Sequence, residues 1–225
     1  MSCYVLLSEK KWHDQLFSNI SNNSKSNWFR ISDKGKFNIE ELDKLNPKKI
    51  FIPHWSYIIP PNIYEKYECI VFHMTDLPYG RGGSPLQNLI INGISKTKIS
   101  AIRVVNELDA GDVYMKRDLL LDGTAREIFL RCSPIIEEMI TEIIENNLQP
   151  FPQEGQPIIF KRRKPEESNI IDLSSIRKVY DYIRMLDCDG YPQAFLETKH
   201  FRIEFQDSEI VNEKQINANV RIFQK

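Results

Sequence analysis

Two side chains with chemistry to offer stand 36 residues apart. His73 closes the apolar run "CIVFH", and Asp109 lies in "RVVNELDAGD". Ligands in open α/β sheets bind at the carboxyl ends of strands, and both residues are expected at such ends, on adjacent strands of one sheet edge. A carboxylate beside an imidazole orients it and favours its protonated form, giving a proton donor usable near neutral pH. Taken singly, each has a plainer reading: a structural histidine at a strand end, and an aspartate serving turn chemistry before Ala-Gly. His54, in "IPHWSYIIP", closes the preceding strand. Trp55 and Tyr57 beside it could wall a flat heterocycle or simply cover the sheet edge.

Other chemistries find no support. No G-x-G-x-x-G follows the first apolar run, and there is no P-loop, no H-E-x-x-H and no G-x-S-x-G. The four cysteines, Cys3, Cys69, Cys132 and Cys188, are far apart with no CxxC or metal spacing. Reduced thiols, a cytoplasmic location and no metal are therefore expected. The 225 residues include 30 basic and 31 acidic side chains, a net charge of −1. Nucleic-acid binders usually carry a basic excess or stripe. The dense basic run "FKRRKP", 160–165, reads as a solvated linker or a local patch. The first apolar run is too short for a signal peptide, and no stretch reaches the ~18 apolar residues of a membrane helix. No membrane partner is expected.

The elements that must position these groups alternate. "CYVLLS", "WFRIS", "KKIFIPHW" and "CIVFH" read as strands, with Pro53 ending the third or lying at its edge. Helices are expected around "KKWHDQLFSNI", in "NIEELDKL" with Asn38 as N-cap and Glu41 three residues on, and in "PPNIYEKY". "NNSKSN" reads as a polar loop. "KISAIRVVNELDAGDVYMKRDLLL" reads as two strands around a Gly turn. The longest helical pattern follows, capped by Thr124 and Glu127 and interrupted at Pro134, with Ile128, Ile135, Ile136, Met139, Ile140, Ile143 and Ile144 as its buried stripe. Strand–helix alternation predicts an α/β fold with a mostly parallel sheet and helices on both faces. Composition turns Pro- and Gln-rich at 151–172, a linker between a domain over 1–150 and a small helix-plus-β unit over 173–225. Asp172 is the expected cap of the last helix, which presents Ile176, Tyr180, Ile183 and Leu186. "AFLET", "HFRIEF", "EIVNEK" and "NVRIFQK" are its strands.

"HMTDLPYGRGGSPLQ" resembles the formyltransferase loop: His, three variable residues, Leu-Pro, two variable residues, Arg-Gly, a small residue and Pro. "ELDAGDVYMKRDLLL" is similar to that family's second signature, Leu-Asp-x-Gly-Asp and a strand, and the spacing from His73 to Asp109 fits. "FKRRKPEESNIIDL" and "IRMLDCDGYPQAF" resemble the linker and C-terminal start of methionyl-tRNA and nucleotide-sugar formyltransferases. The resemblance covers about residues 48 to 197. It implies a Rossmann-like domain that uses 10-formyltetrahydrofolate to formylate an amine, with His73 and Asp109 as catalytic residues.

The family's third catalytic residue, an Asn two places before the His, is Val71 here. Asn106, Thr75 and His54 are the candidates to replace it. By resemblance, His54, Trp55, Ser56 and Tyr57 line the pterin pocket together with Asn106, Glu107 and Leu108. Thr75, Tyr79, Arg81, Gly82, Gly83 and Gln87 fall on the acceptor side, where glycines and a helix start could take a sugar or its phosphates. Arg162 and Arg163 could approach a diphosphate. The loop's wording is most similar to formyltransferases of nonulosonic (pseudaminic-type) acid pathways, implying a UDP-linked 4-amino-4,6-dideoxy sugar and surface-glycan biosynthesis. Two alternatives stand beside it: methionyl-tRNA or another amine as acceptor, or a non-catalytic folate-binding relative, motivated by Val71. A homodimer through exposed C-terminal strands is a further expectation.

Overall fold

A computed structural model describes residues 1–23 and 25–225. The expected loop "NNSKSN" includes Ser24, which lies outside the described residues. The chain packs as two units, each assembled from separate stretches of sequence. The first comprises 1–82, 97–119 and 130–159; the second comprises 83–96, 120–129 and 160–225.

The first unit holds the central sheet. Its strands are β1 (Cys3–Ser8), β2 (Asn27–Ile31), β3 (Lys49–His54), β4 (Cys69–His73), β6 (Lys96–Arg103) and β7 (Val113–Leu120), in the order β2-β1-β3-β4-β6-β7. β1 pairs in parallel with β2 and β3, and β3 with β4. β4 and β6 are antiparallel, Val71 facing Ile102 and His73 facing Ser100. The sheet is thus mostly parallel, as expected, but its turn of direction falls at the strand that matters for the site.

The strands are apolar on both faces, as buried strands must be. Alternation sends Val5, Leu7, Ile50, Ile52 and Cys69 into one cluster with Leu42 of α2 (Ile39–Leu45) and Ile63 of α3 (Pro61–Tyr64). Tyr4, Phe51 and Phe72 point the other way and meet in tilted pairs, with centroid spacings of 6.0 and 6.4 Å. Asn38 caps α2 as expected, its side chain accepting from the Glu41 N–H. The first helix starts later than its pattern: a 3-10 turn over Lys11–His13 precedes α1 (Asp14–Asn22). Pro53 lies inside β3 and the ladder to β4 is recorded only as far as Ile52, in line with proline's missing donor.

The second unit contains α4 (Pro85–Ile91), the start of α5 (Ala125–Glu145), α6 (Ile176–Arg184) and the sheet β11-β10-β9. Thr124 and Glu127 form the expected reciprocal cap of α5. Pro134 sits within α5 without ending it. The true cap of α6 is Ser175, which accepts from Lys178 N–H, and not Asp172. Arg184 is buried, its guanidinium shared between Asp181 and the carbonyls of Leu121 and Gly123. β9 spans Ala194–Glu197. "HFRIEF" and "EIVNEK", expected as two strands, are one strand, β10 (Phe201–Asn212), paired with β11 (Gln215–Gln224) across register shifts near Asp207.

The stretch expected as a linker is structured. Phe151 exchanges backbone hydrogen bonds with Val113 at 2.8 and 2.9 Å, and Ile158 N–H donates to Pro78. β8 (Ile158–Phe160) pairs with β5 (Tyr79–Gly82). Residues 151–159 therefore belong to the first unit, and the packing boundary does not follow the linear division at 150 and 173. Among the described residues no helix is long and apolar enough to cross a membrane.

Candidate active site

His73 ends β4 with a nearly buried side chain. Its Nε2 lies 2.8 Å from the Gly80 carbonyl. A carbonyl only accepts, so this nitrogen holds a proton. The other ring nitrogen, Nδ1, faces Asp109 Oδ2 at 3.5 Å. That separation is the outer edge of hydrogen bonding, as in many catalytic pairs without substrate. The same Oδ2 accepts from the Gly82 N–H at 2.9 Å. The structure gives Oδ1 no hydrogen bond from the described residues.

The route by which Asp109 reaches His73 differs from the expected one. β6 is antiparallel to β4, so its carboxyl end lies at the opposite edge of the sheet. Val104 N–H still donates to Cys69, four residues before His73. The 104–112 loop then folds back over the sheet face. Val104 packs on the same apolar cluster as Val71. The site therefore lies above a sheet face, with Val71 in its floor, and is not assembled from two strand ends on one edge.

Backbone geometry makes this return possible. Asp109 adopts a left-handed φ of 53°, and Gly82 one of 103°. Gly111 admits no side chain, since a Cβ there would stand 1.7 Å from the Arg103 carbonyl oxygen. Val71 is packed by Leu77, Ile102 and Val113. These packing partners are all apolar. Of the three candidates to replace the family's Asn, Thr75 is fully buried and bonds the Gly80 carbonyl at 3.4 Å. Asn106 is exposed, 3.5 Å from the Tyr64 hydroxyl.

His54 lies level with His73 on the neighbouring strand, because Ile52 pairs with Val71. It meets the Trp12 ring edge-on at 5.8 Å. Burial, then the positive charge of Lys10, pushes it down to about 4. His54 is therefore a neutral imidazole at neutral pH. Behind it His13 is held at about 3, again by burial first, and its Nδ1 meets Ser8 Oγ at 2.7 Å. The expected pterin-wall residues present a mixed surface. Trp55 and Tyr57 meet at 5.4 Å, Ser56 bonds Glu9, and Tyr57, Ile58, Val105 and Leu108 are exposed. An apolar, aromatic, water-facing patch of this kind fits the ring system of a reduced pterin, whose polar edge backbone groups can pair.

Arg81 does not stand free. Its Nη1 pairs with Glu107 at 3.1 Å, and its Nε and Nη2 donate to Gln153. Tyr79 is partly exposed on β5. In the second unit Gly83 lies so close to Arg162 that a Cβ would come within 2.5 Å of that side chain. This glycine thus serves close packing. Gln87 is buried, its amide donating to the Met185 carbonyl. Arg163 is anchored through its N–H to Ser84 and through its guanidinium to the Glu167 carbonyl, with Tyr182 beneath it at 5.3 Å. Arg162 is exposed, and its guanidinium pairs with no described residue. Gln153, described below, is the residue that sequence reasoning missed. Among the described residues no cluster of His, Cys, Asp and Glu could hold a metal.

Fold and site together define a formyl-transfer architecture, and comparison with known proteins agrees. Residues 165–223 match the family model described as the methionyl-tRNA formyltransferase C-terminal domain. Over its whole length the chain is 46% identical to a solved methionyl-tRNA formyltransferase from Clostridium thermocellum, covering 100% of both chains with a TM-score of 0.97. It is 29% identical over 181 residues to the methionyl-tRNA formyltransferase of Rickettsia massiliae, covering 77% of this chain and 59% of that protein. A sugar N-formyltransferase from a Shewanella species shares the fold at 14% identity and a TM-score of 0.74, covering 94% of this chain and 100% of that one. The chain belongs to the formyltransferase family. It spans about three-fifths (59%) of the length of the curated relatives it matches.

Proposed function

We propose that the protein is an N-formyltransferase that moves the formyl group of 10-formyltetrahydrofolate to an amine. The observation that carries this reading is the Asp109 carboxylate, with one oxygen held by Gly82 and facing His73 and the other without a hydrogen bond from the described residues. When bound, the folate supplies an activated one-carbon group. Trp55, Tyr57 and Leu108 offer it apolar surface, and the exposed strand-end and 104–108 backbone offers pairing groups. The attacking amine must be neutral, since an ammonium has no lone pair. Asp109 Oδ1 takes the proton that the amine sheds as its bond to the formyl carbon forms, and returns it to the folate nitrogen as the bond from that nitrogen to the formyl carbon breaks, releasing tetrahydrofolate. Gly82 holds Oδ2, joined by His73 when its Nδ1 also carries a proton, and so fixes which oxygen is presented. His73 is also positioned near the reacting carbonyl. Its Nε2 would have to leave Gly80 before donating there, so backbone donors and the neutral His54 are the other groups considered for the developing negative charge.

For the acceptor we favour an amino sugar on a nucleotide carrier, specifically a UDP-linked 4-amino-4,6-dideoxy sugar. The charge balance of −1 supports it, because a tRNA partner is ordinarily met by a basic surface. Exposed Arg162 supplies a candidate contact for a diphosphate. A second reading, methionyl-tRNA as acceptor, is favoured by the 46% identity to the Clostridium thermocellum protein. The four free cysteines support a cytoplasmic setting. The exposed outer strand β11 supports self-association as a dimer; light scattering that shows only monomer would remove that part.

The test is parallel incubation with 10-formyltetrahydrofolate and either the UDP-amino sugar or methionyl-tRNA, followed by mass spectrometry for one added formyl group. Formylation of the sugar alone supports the favoured acceptor, and formylation of the tRNA alone replaces it with the second. A protein that binds folate yet formylates neither these nor any other amine tried is a non-catalytic relative, and the enzymatic reading is then lost.

A further inference from the structure

Gln153 lies in a Pro-rich stretch with no sequence mark of function, yet its side-chain amide is fully used. Nε2 donates to the carbonyls of Asp109 at 2.9 Å and Gly111 at 2.8 Å. Oε1 accepts from Arg81 Nε at 3.1 Å and Nη2 at 2.9 Å. A carboxamide has two donor hydrogens and two acceptor lone pairs, so this one is saturated. The two carbonyls belong to a strained segment. Asp109 is left-handed, a conformation that few residues with a Cβ adopt and that Asp and Asn tolerate best, and such conformations persist only where their surroundings hold them. On the far side, Gly111 is pressed against Arg103.

Gln153 is itself held. Two residues earlier Phe151 is locked to Val113 by paired backbone hydrogen bonds, and two residues later Gly155 lies against Pro78. The amide therefore joins three pieces of the first unit: the 109–111 turn, the Arg81 guanidinium of β5 and the strand-like segment at 151. Arg81 sits next to Gly82, whose N–H holds Asp109 Oδ2. One side chain thus fixes both the backbone that carries the Asp109 carboxylate and the strand that supplies its hydrogen-bond donor.

We infer that Gln153 is the positioning residue of Asp109, setting the carboxylate between Gly82 and His73 for proton transfer from the acceptor amine. This rests on the formyl-transfer reading, so the experiment reads geometry and turnover separately. Gln153→Ala removes all four hydrogen bonds. Gln153→Glu keeps acceptors for Arg81 but sets a carboxylate against two carbonyls. A misplacement of about 1 Å at a reacting group costs about 10²-fold. Both variants should lose kcat by about that order, with KM for folate and acceptor within about twofold of wild type. In an Asp109→Asn background the Gln153→Ala change should cost no further kcat, because residues acting as a unit are non-additive. The ring 15N resonances of His73, which report its Asp109 contact, should shift in Gln153→Ala while the circular dichroism spectrum stays the same.

Wild-type kcat in Gln153→Ala would overturn the assignment. So would an equal loss in the Asp109→Asn background, or unchanged His73 resonances. If Gln153→Ala fails to fold, Gln153→Glu and Gln153→Met carry the same measurements. A wild type that formylates no amine, with His73 resonances that still shift in the variant, would remove the proposed activity and leave the positioning intact.

Discussion

Asp109 Oδ2 stands 3.5 Å from His73 Nδ1 although the strand leading to Asp109 runs away from His73. The 104–112 loop closes that distance by lying over the face that holds Val71, and a left-handed aspartate ends the return. The pair is thus made by loop geometry, which makes it separable by experiment from the stability of the sheet.

Asp109→Asn keeps the shape of the side chain, and Asn is one of the few residues that tolerate the left-handed backbone. It removes only the capacity to take a proton. Turnover should fall by about 10²–10⁴-fold, the range of general-base contributions, with a melting temperature close to that of wild type. Formyl transfer measured by mass spectrometry checks this. Turnover within a few-fold of wild type would show that another group takes the proton.

The sequence made the strand order of chemistry visible but not its path. His73 and Asp109 stand out because residue type and spacing agree across two separate motifs, the second with its Ala-Gly turn. Their expected common edge was an error of direction: nothing in "KISAIR" distinguishes a strand parallel to β4 from one antiparallel to it, since both are buried and apolar. The role of residues 151–159 was hidden for a different reason. Pro, Gln and Gly predict an absence of helix and strand periodicity, and they say nothing about whether the backbone is pinned by Val113 and Pro78. Gln153 is invisible by the same logic, because its partners are two carbonyls and a guanidinium far away in sequence. Nor does the sequence show that Gly83 packs against Arg162, where a Cβ would come within 2.5 Å.

Val71→Asn tests whether the family's missing amide can simply be restored. Leu77, Ile102 and Val113 pack on this position and offer an amide no side-chain partner. Placing a polar group there costs about 1–3 kcal/mol when unpaired, and a donor that is not pre-oriented stabilises little charge. The expected outcome is a lowered melting temperature and no gain in kcat. A tenfold rise in kcat would show instead that the site lacks only this donor.

Gly111→Ala tests the turn that returns Asp109. The added Cβ meets the Arg103 carbonyl oxygen at 1.7 Å, a backbone atom that no rotamer change can move aside. Stability should fall by more than the usual ~1 kcal/mol of a point change, and formyl transfer should fall with it. Gly93→Ala is the control. Its cost is the reverse kind: Gly93 has a positive φ, 74°, which Gly111 does not, and nothing lies within 4 Å of the added Cβ. A loss in Gly111→Ala no larger than that in Gly93→Ala would mean that the contact with Arg103 does not govern stability at this turn.

His13 and His54 give the fold a defined acid limit. Both are kept neutral in the native state, at about 3 and about 4, by burial foremost, with Lys10 adding to both and Arg30 to His13. In the unfolded chain an imidazole titrates near its ordinary value of about 6.5. Between those limits the unfolded state binds more protons, so stability rises with pH there. The contribution is fully present above about pH 6.5 and declines as the pH falls toward 4 and then 3, by at most about 1.4 kcal/mol per unit for each imidazole. Urea unfolding at steps between pH 7 and pH 4 should show this slope. His13→Asn should reduce the slope, since Asn can still bond Ser8 but takes up no proton in either state. An unchanged slope in His13→Asn would place the acid sensitivity in other groups, His54 first and, below about pH 5, the carboxylates Glu68 and Asp76, whose lysine partners hold them below their ordinary range.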